Sequence, residues 1–269
     1  MDYQSLLRAY PSFHCNNEGV YPHLSYISRN CYNKNVDDLE KVKDIFGFDF
    51  DNDVAVGATN EIEKICYLKN IVVHALNWNG VDITDRKYDN MSYLDIIITA
   101  KQNGDALNCR YKSFVYSQLL SLFGFKARWV GCLPMDADDE ECHCLTEVFL
   151  PELNKWIAVD VSFDYLYFDS NGKMLNIAEI RRNLILGKKV RFISKNRQGT
   201  LDTIRYLEKN FFKFRFMEKY TYNSTIDSCQ TILLCPSGYI VGEAERKKYS
   251  YVTNNISPFW KGYEDENNL

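Results

Sequence analysis

Three residues have the types and spacing for thiol chemistry. Cys109 starts a stretch with helical periodicity, His143 opens an extended stretch 34 residues later, and Asp160 closes the next one after a further 17. The thiolate, not the thiol, is the nucleophile, and a helix N-terminus stabilises negative charge. Backbone N–H groups there point outward and can also hold an oxyanion. A cysteine needs a base to activate it and a group to orient that base. His143 fits the first need and Asp160 the second. The chemistry of such a set is attack on an acyl or amide carbonyl through a thioester.

These side chains converge only if the chain positions them. From residue 60, Ile62, Ile65, Cys66, Leu68, Ile71, Val72 and Ala75 recur at three- and four-residue intervals, which predicts a helix stopped near Gly80. A second helix is expected over 92–102, broken by Asn103-Gly104-Asp105, and a third over 109–123, ended by Gly124. Residues 126–133, 143–150 and 155–161 are rich in β-branched and aromatic side chains and read as strands. The short connection from Pro151 to Asn154 makes the last two a hairpin. That pairing sets His143 opposite a residue between 160 and 163, within reach of Asp160. Residues 1–57 are turn-rich, with loops at 33–35 and 49–53. Helices are expected again over 177–186 and 201–217, and the tail from Thr221 carries apolar runs at 232–234 and 239–241.

The flanks of the three residues carry a family likeness. The run Asn108-Cys109-Arg110-Tyr111-Lys112-Ser113 is followed by Leu119-Leu120-Ser121-Leu122-Phe123-Gly124-Phe125-Lys126-Ala127-Arg128-Trp129-Val130. Next come Cys142-His143-Cys144-Leu145-Thr146-Glu147-Val148-Phe149-Leu150 and Asn154-Lys155-Trp156-Ile157-Ala158-Val159-Asp160. In order, spacing and flanks, residues 105–165 resemble the core of the transglutaminase-like superfamily, of the kind found in bacterial transglutaminase-like domain proteins. The resemblance implies a papain-like fold with a Cys–His–Asp triad: Cys109 as nucleophile, His143 as general base and acid, Asp160 as its orienter. Two positions depart from the family pattern. Arg110 stands where animal crosslinking enzymes carry Trp, which points away from crosslinking. Val161 stands where bacterial relatives often carry Pro.

Other residues near the three have sharper and plainer readings. Gln102, seven residues before Cys109, is the candidate oxyanion side chain, as papain-like enzymes supply one upstream; Asn103, Asn108 and Trp78 are further possibilities, and a solvent-facing helix residue is the plain reading of Gln102. Cys142 and Cys144 flank His143, but strand alternation points both away from it, so no metal site is expected. The acidic loop of Asp136, Asp138, Asp139, Glu140 and Glu141 precedes His143. Beside an active site it would favour cationic substrates and raise the imidazole pKa. It lacks EF-hand spacing, and a solvated loop is its plain reading. HExxH, paired CxxC, GxGxxG, Walker and GxSxG motifs are all missing.

Composition bounds the rest. With 46% hydrophobic residues and 19 tyrosines among 269, the chain can bury a real core. The net charge of −4 selects neither nucleic acid nor membrane. Residues 176–219 hold 12 Lys/Arg against 4 Asp/Glu, a local +8 interleaved with aromatics. Such interleaving can bind nucleic acid, but an amphipathic helix with a solvated basic face is the simpler reading, and no nucleic-acid partner is expected. Nine irregularly spaced cysteines fit a reducing compartment better than a disulfide framework. No signal peptide or membrane-length apolar run is visible, which reads as cytoplasmic; an exported form with its leader removed would look the same.

The expectation is therefore one α+β domain over 1–269. Its papain-like, transglutaminase-like core spans 58–175, with N-terminal helices and the nucleophile helix packed on an antiparallel sheet. Residues 1–57 and 176–269 elaborate it. What the resemblance implies is a cysteine-dependent enzyme that needs no cofactor and hydrolyses an amide bond of a peptide or protein, in the manner of a protease, deamidase or glycanase. Acyl transfer to an amine, arylamine-type acetyl transfer and an idle binding or scaffold module use the same fold.

Overall fold

A computed structural model of the chain describes residues 2–14, 36–47, 60–78, 86–194, 200–218 and 222–260. Two short helices come first, α1 (Tyr3–Ala9) and α2 (Val36–Phe46), followed by α3 (Glu61–Ala75), α4 (Tyr93–Asn103) and α5 (Cys109–Leu122). Strands β1 (Ala127–Leu133), β2 (His143–Leu150), β3 (Lys155–Asp160) and β4 (Tyr165–Phe168) come next, then α6 (Ile177–Ile185), β5 (Arg191–Ile193) and α7 (Leu201–Asn210). The chain continues through β6 (Lys213–Glu218), β7 (Gln230–Leu234), α8 (Glu243–Arg246), β8 (Tyr251–Thr253) and α9 (Ser257–Trp260). The strands make one sheet in the order β5-β4-β3-β2-β1-β6-β7-β8. Every pair is antiparallel except β7–β8.

The fold is α+β, with helices on both faces of this sheet. Helices α3, α4 and α5 pack over Trp129, Cys144, Val148, Ile157 and Val159. Residues of α1, α6, α7 and α9 cover Val130, Leu145, Ala158, Phe214 and Phe216 on the other face. Strands β1 and β2 are therefore buried along their whole length, including their polar members Arg128, His143, Thr146 and Glu147.

The central helix α5 is the most enclosed. Every residue from Arg110 to Leu122 is buried. Its serines recur every four residues, at 113, 117 and 121. The Ser113 hydroxyl donates to the Cys144 carbonyl (2.9 Å), and the Thr146 hydroxyl donates back to the Ser113 carbonyl (3.0 Å). Small side chains with one hydroxyl let the helix sit close on β2 and leave no buried polar group idle.

The three helix patterns and three strand patterns between residues 60 and 161 became the expected elements. Helix α4 ends at Gly104, whose φ of +69° lets its N–H reach back to the Ala100 and Lys101 carbonyls. Gly80, the loops at 33–35 and 49–53, Cys15 and Cys31 lie outside the described residues. The helix expected over 201–217 is corrected: it stops at Asn210, and residues 213–218 are strand β6. Lys213-Phe214-Arg215-Phe216-Met217 alternates with period two, and Phe214 and Phe216 share one buried face. Of the tail's apolar runs, 232–234 lies in β7, while 239–241 is irregular. Strands β6, β7 and β8 thus extend the sheet that begins with the hairpin. None of the described helices is long and apolar enough to cross a membrane.

Candidate active site

Cys109 is the first residue of α5. Asn108 caps the helix, its side chain accepting from the Tyr111 N–H at 3.1 Å. The cap is braced from outside. Arg110 pairs with Asp89 at 2.8 Å and lies on the Tyr111 ring, whose hydroxyl also donates to Asp89. The cysteine itself is half-buried, with its Sγ 3.9 Å from the Cys142 carbonyl oxygen, next to His143.

His143 and Asp160 meet on the opposite face of the sheet from the body of α5. The register pairs Thr146 with Val159, so Asp160 continues opposite Leu145 and shares a face with His143. His143 Nε2 lies 2.7 Å from Asp160 Oδ2, and the two residues are 1% and 0% exposed. Phe163 stacks on the imidazole at 4.9 Å, and Tyr206 of α7 meets it edge-on at 5.5 Å. The Tyr206 hydroxyl donates to the same Cys142 carbonyl that the Cys109 sulfur approaches (3.1 Å).

The Asp160 carboxylate is saturated. Its Oδ1 accepts from the Ser162 and Phe163 N–H groups, both at 2.9 Å, and its Oδ2 also accepts from the Tyr167 hydroxyl at 2.9 Å. Burial alone would push this carboxyl up, but the His143 charge and these hydrogen bonds outweigh it and hold it below its usual value. A depressed folded-state pKa stabilises the fold above the ordinary carboxylate range, and that stability is lost as pH falls through the folded value. Tyr167→Phe removes one charge-assisted bond, so it should cost about 1.5–3 kcal/mol in urea unfolding at pH 7. The gap to wild type should narrow once acid protonates Asp160.

The turn after Asp160 is tied to the helices. Lys69 of α3 makes a buried ion pair with Asp164, and the Ser194 hydroxyl donates to the same carboxylate at 2.7 Å. Asp164 sits at φ +62°. This bracing fixes the segment that carries Phe163 over the imidazole.

Residues 49–161 match the family model of the transglutaminase-like superfamily. The chain carries a transglutaminase-like domain. All three candidate residues lie inside it, and the match supports a cysteine-dependent enzyme at the level of the superfamily. Among solved structures, one from Cytophaga hutchinsonii described as a "Putative Cysteine Protease" is 14% identical, with a TM-score of 0.35. The likeness covers 71% of this chain and 62% of that one, less than two thirds of its length. No curated protein gives a significant match.

Within the transglutaminase-like domain, the residue after the cysteine has a structural task. Arg110 stands where crosslinking relatives carry Trp, and its charge goes to Asp89. The other upstream residues divide. Gln102 is exposed in the last turn of α4, and none of the described contacts connects it to Cys109. Asn103 bonds Asp105, and Asn108 is the helix cap. Trp78 pairs along the main chain with Leu107, and its indole meets Phe163 edge-on at 5.3 Å.

Cys144 faces α5 and its neighbours, while His143 faces Asp160, as strand alternation requires. The acidic loop is clipped to α7: Lys209 pairs with Asp139 at 2.8 Å and also with Glu141. The one lysine charge is shared between two of the five carboxylates and offsets one of them. Sequence reasoning missed Phe163, Tyr167 and Tyr206. The alternation Phe163, Tyr165, Tyr167 directly after Asp160 is a strand signal that could have found the first two. A cavity of about 710 Å³ lies elsewhere, lined by Lys188, Lys189, Arg191 and the start of α7.

Proposed function

We propose that Cys109 is the nucleophile of a thiol hydrolase acting on an amide bond of a peptide or protein. The observation that carries this reading is the buried His143–Asp160 pair at 2.7 Å, together with a part-buried cysteine on a helix N-terminus whose sulfur lies 3.9 Å from the carbonyl oxygen of Cys142, the residue before His143. With Nε2 engaged by Asp160, Nδ1 is the nitrogen left to exchange a proton with the sulfur. The Cys109 thiolate forms a C–S bond to the carbonyl carbon as the C–N bond breaks, and His143 delivers its proton to the departing amine. Water, deprotonated by His143, then attacks the thioester. The acid leaves, and the sulfur regains its proton. First-turn N–H groups of α5, with no acceptor inside the helix, are the natural partners of the oxyanion. Gln102 remains the candidate side-chain donor by position in the sequence. The described cysteines are all unbridged, which supports a reducing, cytoplasmic setting.

The test uses a generic acyl donor, p-nitrophenyl acetate, with intact-mass and peptide mass spectrometry. A burst of nitrophenolate and an acetyl mass on Cys109, absent in Cys109→Ala, is the expected result. Turnover in water without added amine supports hydrolysis. A thioester that clears only when methylamine is added would replace hydrolysis with acyl transfer. No acyl mass above that of Cys109→Ala would overturn the enzyme reading and leave the domain as a binding module.

A further inference from the structure

Part of the basic stretch after residue 176 gathers around one cleft. Helix α6 ends where Gly187 takes a φ of +63°, and the Gly187 and Lys188 N–H groups turn back to the Leu184 and Asn183 carbonyls at 3.1 and 2.8 Å. Val190 is buried and anchors the turn, and Arg191-Phe192-Ile193 then joins the sheet as β5. Between this turn and the start of α7 lies the cavity of about 710 Å³. A cleft of that size takes a ligand with the bulk of several side chains.

Its walls combine charge and apolar surface. Lys188, Lys189 and Arg191 line it, all three exposed, and among the described residues none has a carboxylate partner. Glu208 of α7 is the one carboxylate among the lining residues. Arg8 adds a further cation at the rim, its guanidinium 3.5 Å from where a Gly187 Cβ would stand. Seven large apolar residues are exposed among the described ones, and three belong to this region. Leu201 lines the cavity, while Leu186 and Ile193 each adjoin a lining residue; they are 66%, 51% and 46% exposed. Apolar residues scattered singly over a surface need no explanation, but a group of them beside unpaired charge has the composition of an interaction site.

The sheet supplies a third feature. Strand β5 is its end strand and pairs with β4 alone. Among the described residues, no other main-chain hydrogen bond engages residues 191–193. The outer edge of β5 therefore offers N–H and C=O groups to an added strand. Alternation puts Phe192 on the face of α6 and α7, against Tyr165 and Tyr167 at 5.2 and 5.6 Å, and Arg191 on the other face. A chain laid along this edge meets apolar side chains on one side and positive charge on the other.

An extended peptide matches these features better than other anionic partners do. A bilayer surface is flat, whereas this site is concave and ends in a strand edge. A single nucleic-acid strand needs open aromatic faces to stack on, and Phe192, the one aromatic among the lining residues, is already packed on two tyrosines. We propose that the cleft docks an extended acidic segment of a partner protein. The segment adds to the outer edge of β5, seats apolar side chains against Phe192, Leu201 and Ile204, and presents carboxylates to Lys188, Lys189 and Arg191. Its signature is an alternation of acidic and apolar residues. Leu201 and Ile204 share one face of α7, and Tyr206, which meets His143, lies on another, so the cleft is separate from the triad. The proposal is independent of the role of Cys109.

The test is fluorescence anisotropy of a fluorescein-labelled peptide of alternating Glu and Val, titrated with the Cys109→Ala protein so that no turnover intrudes. Saturable binding is expected, and it should weaken by about tenfold or more in Lys188→Glu/Lys189→Glu/Arg191→Glu, where like charges replace opposite ones. Lys247→Glu/Lys248→Glu, which reverses exposed charge outside the cleft, should bind as the parent does. A peptide of alternating Glu and Pro keeps the carboxylates but loses every second N–H, and it should bind about tenfold more weakly. No saturable binding, or an equal loss in the Lys247/Lys248 variant, would overturn the proposal. So would a Glu–Pro peptide that binds as tightly, because strand addition would then play no part. Capture by phosphatidylserine vesicles without any binding of the peptide would replace the partner segment with a lipid surface.

Discussion

His143→Ala will slow acylation of Cys109 near neutral pH by about 10²–10⁴-fold, the usual contribution of a positioned acid–base group. The reason is geometric. Asp160 holds Nε2 at 2.7 Å, and Phe163 and Tyr206 fix the plane of the ring. The imidazole is therefore oriented before any substrate arrives. Alanine also removes the partner of a fully buried carboxylate, and an uncompensated buried charge destabilises by about 3–5 kcal/mol. His143→Gln separates the two effects, because its amide can still donate to Asp160 but cannot act as a base. Stopped-flow acylation with p-nitrophenyl acetate, beside urea unfolding of the same samples, checks both. The Gln variant should unfold near wild type and acylate as slowly as the Ala variant. A Gln variant that acylates at the wild-type rate would remove His143 from the chemistry.

The three candidate residues could be picked out from the sequence because each stands on an element with a local signature. Cys109 follows a capping Asn, His143 and Asp160 begin and end β-rich runs, and a four-residue link forces those runs to pair. The residues that enclose the site were not legible, for a different reason. Tyr206 reaches His143 from α7, across 63 residues of chain, and no periodicity records which face of a distant helix will turn inward. The boundary of that helix was misread because Phe211-Phe212 prolongs its apolar pattern, although the alternation after it belongs to β6. Arg215 was counted as part of a solvated basic face and instead lies across Gly131 with its guanidinium over the Trp129 ring. Charge runs describe composition, while burial is decided by the strand that carries the charge. Arg128, quoted only as part of a family motif, is a further case: the motif marks a structural ion pair on the face where His143 sits.

Glu147→Ala will cost about 3–5 kcal/mol, a large share of the roughly 5–15 kcal/mol that holds a domain folded. Glu147 is wholly buried and accepts from four donors: Arg128 Nε at 3.0 Å and Nη2 at 2.6 Å, the Ile177 N–H at 3.0 Å and the Trp260 indole at 2.8 Å. It thus joins β1, the start of α6 and α9. Arg128 is cradled by the Trp156, Phe216 and Trp260 rings and donates to the Phe259 carbonyl, so it cannot swing into water when its partner is lost. Two costs are mixed in this number, the stranded guanidinium and the orphaned N–H groups of Ile177 and Trp260. The double variant Arg128→Met/Glu147→Leu tells them apart in urea unfolding, since apolar pairs of similar volume often replace buried ion pairs without loss. Recovery of most of the stability would assign the cost to the guanidinium. A double variant as weak as Glu147→Ala would assign it to the two N–H donors, and would make this carboxylate chiefly a clasp for α6 and α9.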